Sequence, residues 1–198
     1  MKYIAELVAM LVTEILIIGL VMFIRKQKKG QLKTIFIVIL LLMFIWTTSM
    51  IMQILFQNTN IDPYLFEKFA TFGAVPISLA ILFLGQIFVK NKIKFNWFYG
   101  ALCIIPIITT ILSVTNEYHH LFIEKYSIMG SESVYGPYFI VHAIYSYVCV
   151  FIGIGYLVRE SMKNSGFFSK QSIMIVIGTL VPIGVNILAT FSKFKITT

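Results

Sequence analysis

Residues 34–56 read TIFIVILLLMFIWTTSMIMQILF, an unbroken apolar run with no charged side chain. At about 1.5 Å of rise per helical residue, a run of this length covers a hydrocarbon core of about 30 Å. Working outward, five more runs have the same character: Tyr3–Ile24, Leu65–Val89, Trp97–Thr115, Pro137–Val158 and Gln171–Thr190. A lone segment in lipid must satisfy its own amides, and none of the runs shows the alternation of barrel strands, so each is read as a helix. The composition agrees: 59% of residues are apolar, only 12% are charged and the mean hydropathy is +0.90, far from the averages of soluble domains. The sequence therefore predicts an all-α polytopic membrane helix bundle of six transmembrane helices in a single domain, with the lipid bilayer as its first partner.

Orientation follows from the basic residues in the connections. Arg25, Lys26, Lys28, Lys29 and Lys33 follow the first span; Lys90, Lys92 and Lys94 follow the third; Arg159, Lys163 and Lys170 follow the fifth. The opposite side holds only Lys2, Lys68, Lys125, Lys193 and Lys195. This asymmetry predicts an external amino terminus and cytoplasmic connections at 25–33, 90–96 and 159–170. The first run carries Glu6 and Glu14 and leads straight into a basic cluster, which argues against a cleaved signal. The net charge of +8 is mostly this inner collar, explained by topology and anionic headgroups rather than by nucleic acid.

The cytoplasmic connections are too short to fold alone, and no glycine-rich phosphate loop is present, so a soluble catalytic domain is excluded within these residues. Gly153-Ile154-Gly155 lies inside a span, where small residues serve helix packing. Cys103 and Cys149 are isolated thiols within spans and read as small core residues, with no metal or cofactor expected.

Polar chemistry concentrates on the opposite side. All three histidines, His119, His120 and His142, lie between the end of the fourth span and the start of the fifth. The connection from Asn116 to Gly136 is the longest and holds Glu117, Glu124, Glu132 and Tyr135 as well; its spacing matches no strong metal signature. The alternative is that Asn116 caps a helix and the histidines merely sit at the headgroup boundary. His142 lies inside the fifth span with Tyr145 on the same face, and Glu14 lies deep in the first; an intramembrane titratable group is a functional candidate by default. Glu14 and His142 can form a proton or ligand site, or a pair that only locks the bundle. Pro76, Pro106 and Pro182 free backbone carbonyls within spans and predict kinks, whereas Pro137 opens a helix. Asn186, one turn beyond Pro182, is a candidate lining residue, with packing as the alternative.

The segments TNEYHHLF (115–122), YGPYFIVHAIYSY (135–147) and VPIGVNIL (181–188), in this order, resemble the amino-terminal seven-helix sensor region of bacterial membrane histidine kinases. The resemblance is most specific from Asn96 to Asn186. It implies a non-catalytic receptor module in the bacterial plasma membrane that detects a small-molecule or peptide ligand and passes the signal inward by helix movement. Asn116, His119, His120, Tyr135, Gly136, Pro137, His142, Tyr145, Pro182 and Asn186 are the family-type positions it marks. A seventh span is not readable in this sequence and no histidine is cytoplasmic, so the chain is expected to be a sensor fragment or a short relative working through a partner. A seventh helix, a kinase chain or a second copy would fill the groove left open. The alternative class is a small ion- or proton-coupled transporter or channel, suggested by Glu14, His142 and the proline-broken spans, although no inverted repeat is visible. An intramembrane enzyme lacks a nucleophile–base pair, and a retinal protein lacks a mid-membrane lysine.

Overall fold

A computed structural model describes residues 3–94, 96–128 and 132–163. Five helical stretches among them are long and apolar enough to cross a membrane, the fourth of them being Trp97–Val114. The expected sixth span, with Pro182 and Asn186, lies outside the described residues.

Helix α1 (Ile4–Arg25) buries only Ile17 and lies beside α2 (Gln31–Phe56), so most of its apolar surface is left for lipid. The turn between them is closed by Lys33, whose ammonium donates to the carbonyls of Arg25 at 2.6 Å and Gln27 at 2.8 Å. Helix α3 (Tyr64–Lys90) is the centre of the bundle and packs against both α2 and α6 (Pro137–Lys163). Its start is fixed by Asp62, whose Oδ1 accepts the Tyr64 amide at 3.0 Å, and it ends on Asn91, in the left-handed region at φ 61°. After glycine, asparagine is the residue that best tolerates that position.

Small residues let α3 approach both neighbours closely. A Cβ at Gly73 would lie 2.7 Å from the Trp46 nitrogen and closer still to the Leu42 carbonyl of α2. One at Gly85 would collide with the Gly153 backbone of α6, and one at Gly153 would lie 2.7 Å from the Ile81 carbonyl. Gly155, by contrast, meets nothing within 4 Å. Helix contact in lipid is driven by such close packing, because tails are as apolar as the side chains they replace.

The fourth span differs from its expected form. It divides into α4 (Trp97–Leu102) and α5 (Ile104–Val114) at a turn on Cys103, whereas α3 runs unbroken through Pro76. Pro106 has no N–H to give the carbonyl four residues earlier, that of Leu102. The Tyr145 hydroxyl of α6 donates to this carbonyl at 2.6 Å. Tyr145 is therefore a latch across the helix break. Tyr145→Phe is expected to lower stability by about 1 kcal/mol, the cost of an unpaired buried acceptor. Thermal unfolding in a lipid nanodisc measures it, and an unchanged midpoint would show that another donor takes the carbonyl.

At the basic end Gln31 clamps the connection after α3: its Nε2 donates to the Ile93 carbonyl at 2.9 Å and its Oε1 accepts the Ile93 amide at 2.7 Å. At the opposite end, the long connection from Asn116 to Gly136 carries short elements of its own. A 3-10 turn (Asn116–Tyr118) leads into β1 (Ile123–Lys125), which pairs antiparallel with β2 (Val134–Tyr135), Ile123 lying opposite Tyr135.

Candidate functional site

The folded connection is organised around Asn116, which is 2% exposed. Its Nδ2 donates to the Tyr64 hydroxyl at 2.8 Å and to the Ile123 carbonyl at 2.7 Å. Its Oδ1 accepts the amides of Phe122 at 2.9 Å and Ile123 at 3.1 Å. Both donors and both lone-pair directions of the amide are used, which also fixes which atom is nitrogen. Asn116 thus bolts the hairpin to the first turn of α3.

His119 is equally committed. Its Nδ1 accepts the Leu121 amide at 3.0 Å, so the ring proton resides on Nε2, which lies 3.1 Å from the Thr115 hydroxyl. That hydroxyl in turn donates to the Ile111 carbonyl at 2.8 Å. His120 takes the left-handed conformation at φ 51°, turning the chain so that its exposed ring lines a pocket. Gly136 packs where a Cβ would strike the carbonyls of His120 and Leu121; only glycine fits there. The Gly136 amide donates to Phe122 at 3.0 Å and the Tyr138 amide to Leu121 at 2.9 Å, which straps the hairpin to the start of α6 at Pro137.

The pocket holds about 320 Å³. Tyr64 and Tyr126, whose ring centroids are 4.9 Å apart, line it together with Asp62, Glu117, Glu124 and His120. Below it, the Tyr126 hydroxyl donates to Gln53 Oε1 at 3.0 Å, and Gln53 Nε2 donates to Glu67 Oε2 at 2.9 Å. Gln53 is fully buried in α2, so this pair links two spans beneath the hairpin. One turn deeper, the hydroxyls of Thr71 and Ser113 meet at 2.7 Å. Burial, with the Glu67 and Asp62 carboxylates adding to it, pushes the Tyr126 hydroxyl well above its ordinary range. Burial likewise raises Tyr135, so both phenols stay protonated.

His142 lies apart from the pocket in an aromatic cluster. Phe122 and Phe139 contact its ring at centroid distances of 5.8 and 6.1 Å, and Tyr135 stacks on Phe139 at 3.8 Å. Its Nε2 is 3.4 Å from the Ser146 hydroxyl, and its buried Nδ1 has no hydrogen-bond partner among the described residues. Glu14 and His142 are not brought together. Glu14 Oε1 instead accepts the Thr48 hydroxyl of α2 at 2.5 Å, with the Thr47 hydroxyl, which donates to the Met43 carbonyl at 2.9 Å, standing 3.5 Å away. Among the described residues no group of three or more His, Cys, Asp or Glu side chains is placed to hold a metal ion.

Of the residues that build the pocket and its hairpin, the sequence reading named Asn116, His119, His120 and Gly136 and did not name Tyr64, Tyr126, Gln53 or Glu67. One signal was present: Gln53 is a lone amide in the uncharged run 34–56, and such a group in lipid marks a buried contact.

No curated protein and no solved structure matches the chain. The family model of the N-terminal 7TM region of histidine kinase matches over residues 8–198. The lipid-length helices and that match together make this a multi-pass membrane protein, and the chain belongs to the family of N-terminal seven-transmembrane sensor regions of histidine kinases.

Proposed function

We propose that the hairpin end of this sensor module faces the exterior, receives a ligand in the pocket between Tyr64, Tyr126 and His120, and biases α2 against α3. The external placement rests on the basic collar at the other end. The observation that carries the reading is the chain from the Tyr126 hydroxyl through Gln53 to Glu67, which joins a pocket wall to two spans. A ligand that alters Tyr126 has differential contact with any two arrangements of α2 and α3, as a population shift requires. His119 and Asn116 hold the hairpin rigid so that displacement reaches the helices. The output is carried by a histidine kinase-type partner or continuation.

The test joins the chain to a histidine kinase core in proteoliposomes and reads autophosphorylation. Gln53→Leu keeps side-chain volume and removes both bonds. It is expected to shift the resting rate at least ~5-fold, the lower end of ordinary allosteric coupling. A resting rate identical to that of the parent chain would overturn this route.

A further inference from the structure

The pocket's chemistry narrows what it takes. Among the described residues, its lining includes no basic side chain apart from His120, while Asp62, Glu117 and Glu124 all line it. Neither Asp62 nor Glu124 has a cationic partner among the described residues. Among the described residues the carboxylates do not converge as a metal site. What marks the pocket for an organic cation is a group the protein itself supplies. Lys68 is not itself among the lining residues, but its ammonium lies 2.7 Å from Glu117 Oε1 and 5.3 Å from the centroid of the Tyr64 ring, two residues that do line the pocket. A carboxylate beside an aromatic face is the arrangement that receives an ammonium group. At about 320 Å³ the cavity accommodates a small molecule or the end of a peptide.

We propose that the pocket recognises an organic ammonium group and that Lys68 is a tethered competitor for it. The inference rests on the pocket being the sensor's ligand site and adds the class of ligand. An incoming amine replaces the Lys68 ammonium on Glu117 and over Tyr64, with Glu124 and Asp62 as further acceptors. Lys68 then swings clear. Because Lys68 sits on the first turns of α3, the exchange begins on the helix that Asn116 and Glu67 also hold.

The full chain in nanodiscs is titrated with n-butylammonium, 1,4-diaminobutane, 1-butanol and acetate, and with a tetra-alanine amide bearing either a free or an acetylated amino terminus. The amines are expected to bind saturably, and butanol and acetate are not. Binding should weaken at least ~10-fold in Glu117→Gln/Glu124→Gln and as salt rises to 1 M, since the site is partly open to solvent. Lys68→Gln should tighten it about 3- to 10-fold by removing the competitor. Peptide binding that is lost on acetylation, without simple amines, would place the ammonium on a peptide terminus and support the same chemistry.

Equal binding of butanol, preference for acetate, no binding of any amine, or weaker or unchanged binding in Lys68→Gln would overturn the proposal. Lys68→Met supplies the same comparison should Lys68→Gln fail to fold. The two readings separate cleanly. Amine binding with an unmoved kinase rate in Gln53→Leu sinks the sensor route alone, and a moved rate without amine binding sinks the ammonium proposal alone.

Discussion

Gly85→Leu is expected to yield no monodisperse protein. A leucine at this position must place four carbons where the Gly153 backbone of α6 already lies, since even its Cβ would be 2.9 Å from the Gly153 carbonyl carbon. Overpacking of a tight contact costs about 1–3 kcal/mol when side chains can adjust, and here the obstacle is backbone, so at least ~3 kcal/mol is expected. The helices would have to separate, which exposes the buried α3 face carrying Leu82, Ser78 and Gln86. Gly155→Ala on α6, two residues from the Gly153 contact, is the control: its Cβ meets open space, and no loss is expected. Size-exclusion profiles and thermal unfolding in nanodiscs decide it. A well-behaved Gly85→Leu protein with wild-type stability would show that α3 and α6 do not meet as described.

Asn116→Ala is expected to release the hairpin while leaving the spans inserted. The substitution strands the Phe122 and Ile123 amides, the Ile123 carbonyl and the Tyr64 hydroxyl, three of them deep under the loop. At about 1–3 kcal/mol for each buried group left unpaired, and with water reaching some of them, ~3–5 kcal/mol of local stability is lost. The Phe122 and Ile123 amides should then exchange with solvent deuterium on the order of a hundredfold faster, and α6 should keep its protection. Asn116→Asp retains the accepting oxygen and loses both donated bonds, so it should fall between. Undiminished protection in Asn116→Ala would remove the amide from the centre of the hairpin and leave the pocket to its tyrosines alone.

The lipid-spanning runs were legible because length and hydropathy are local properties, and the structure reproduces five of them within a few residues. The site was legible only in part. Asn116 and its neighbours stood out by composition, but the residues they engage are remote in sequence, Tyr64 by 52 positions and Gln53 from Tyr126 by 73. No periodicity reports such distances. The hairpin escaped notice because strands of three and two residues are too short to alternate. The break at Cys103 was foreshadowed by Pro106, yet the proline alone could not name the Tyr145 hydroxyl that settles the orphaned carbonyl. Glu14 found a hydroxyl on the adjacent helix rather than an imidazole on a distant one, since α1 contacts α2 and remains peripheral.

Gly73 and Gly85 touch different neighbours, α2 and α6, at levels roughly 18 Å apart along α3 and about 120° apart around it. Two such bearings on one spindle resist sliding, because a lengthwise step would drive a Cβ-bearing residue into a seat cut for glycine. They leave swivelling about the line joining them less hindered. In the reading proposed above, a stimulus arriving near Tyr64 would be relayed as a roll of the central rod about its own length, turning its far tip at Lys90 among the basic turns.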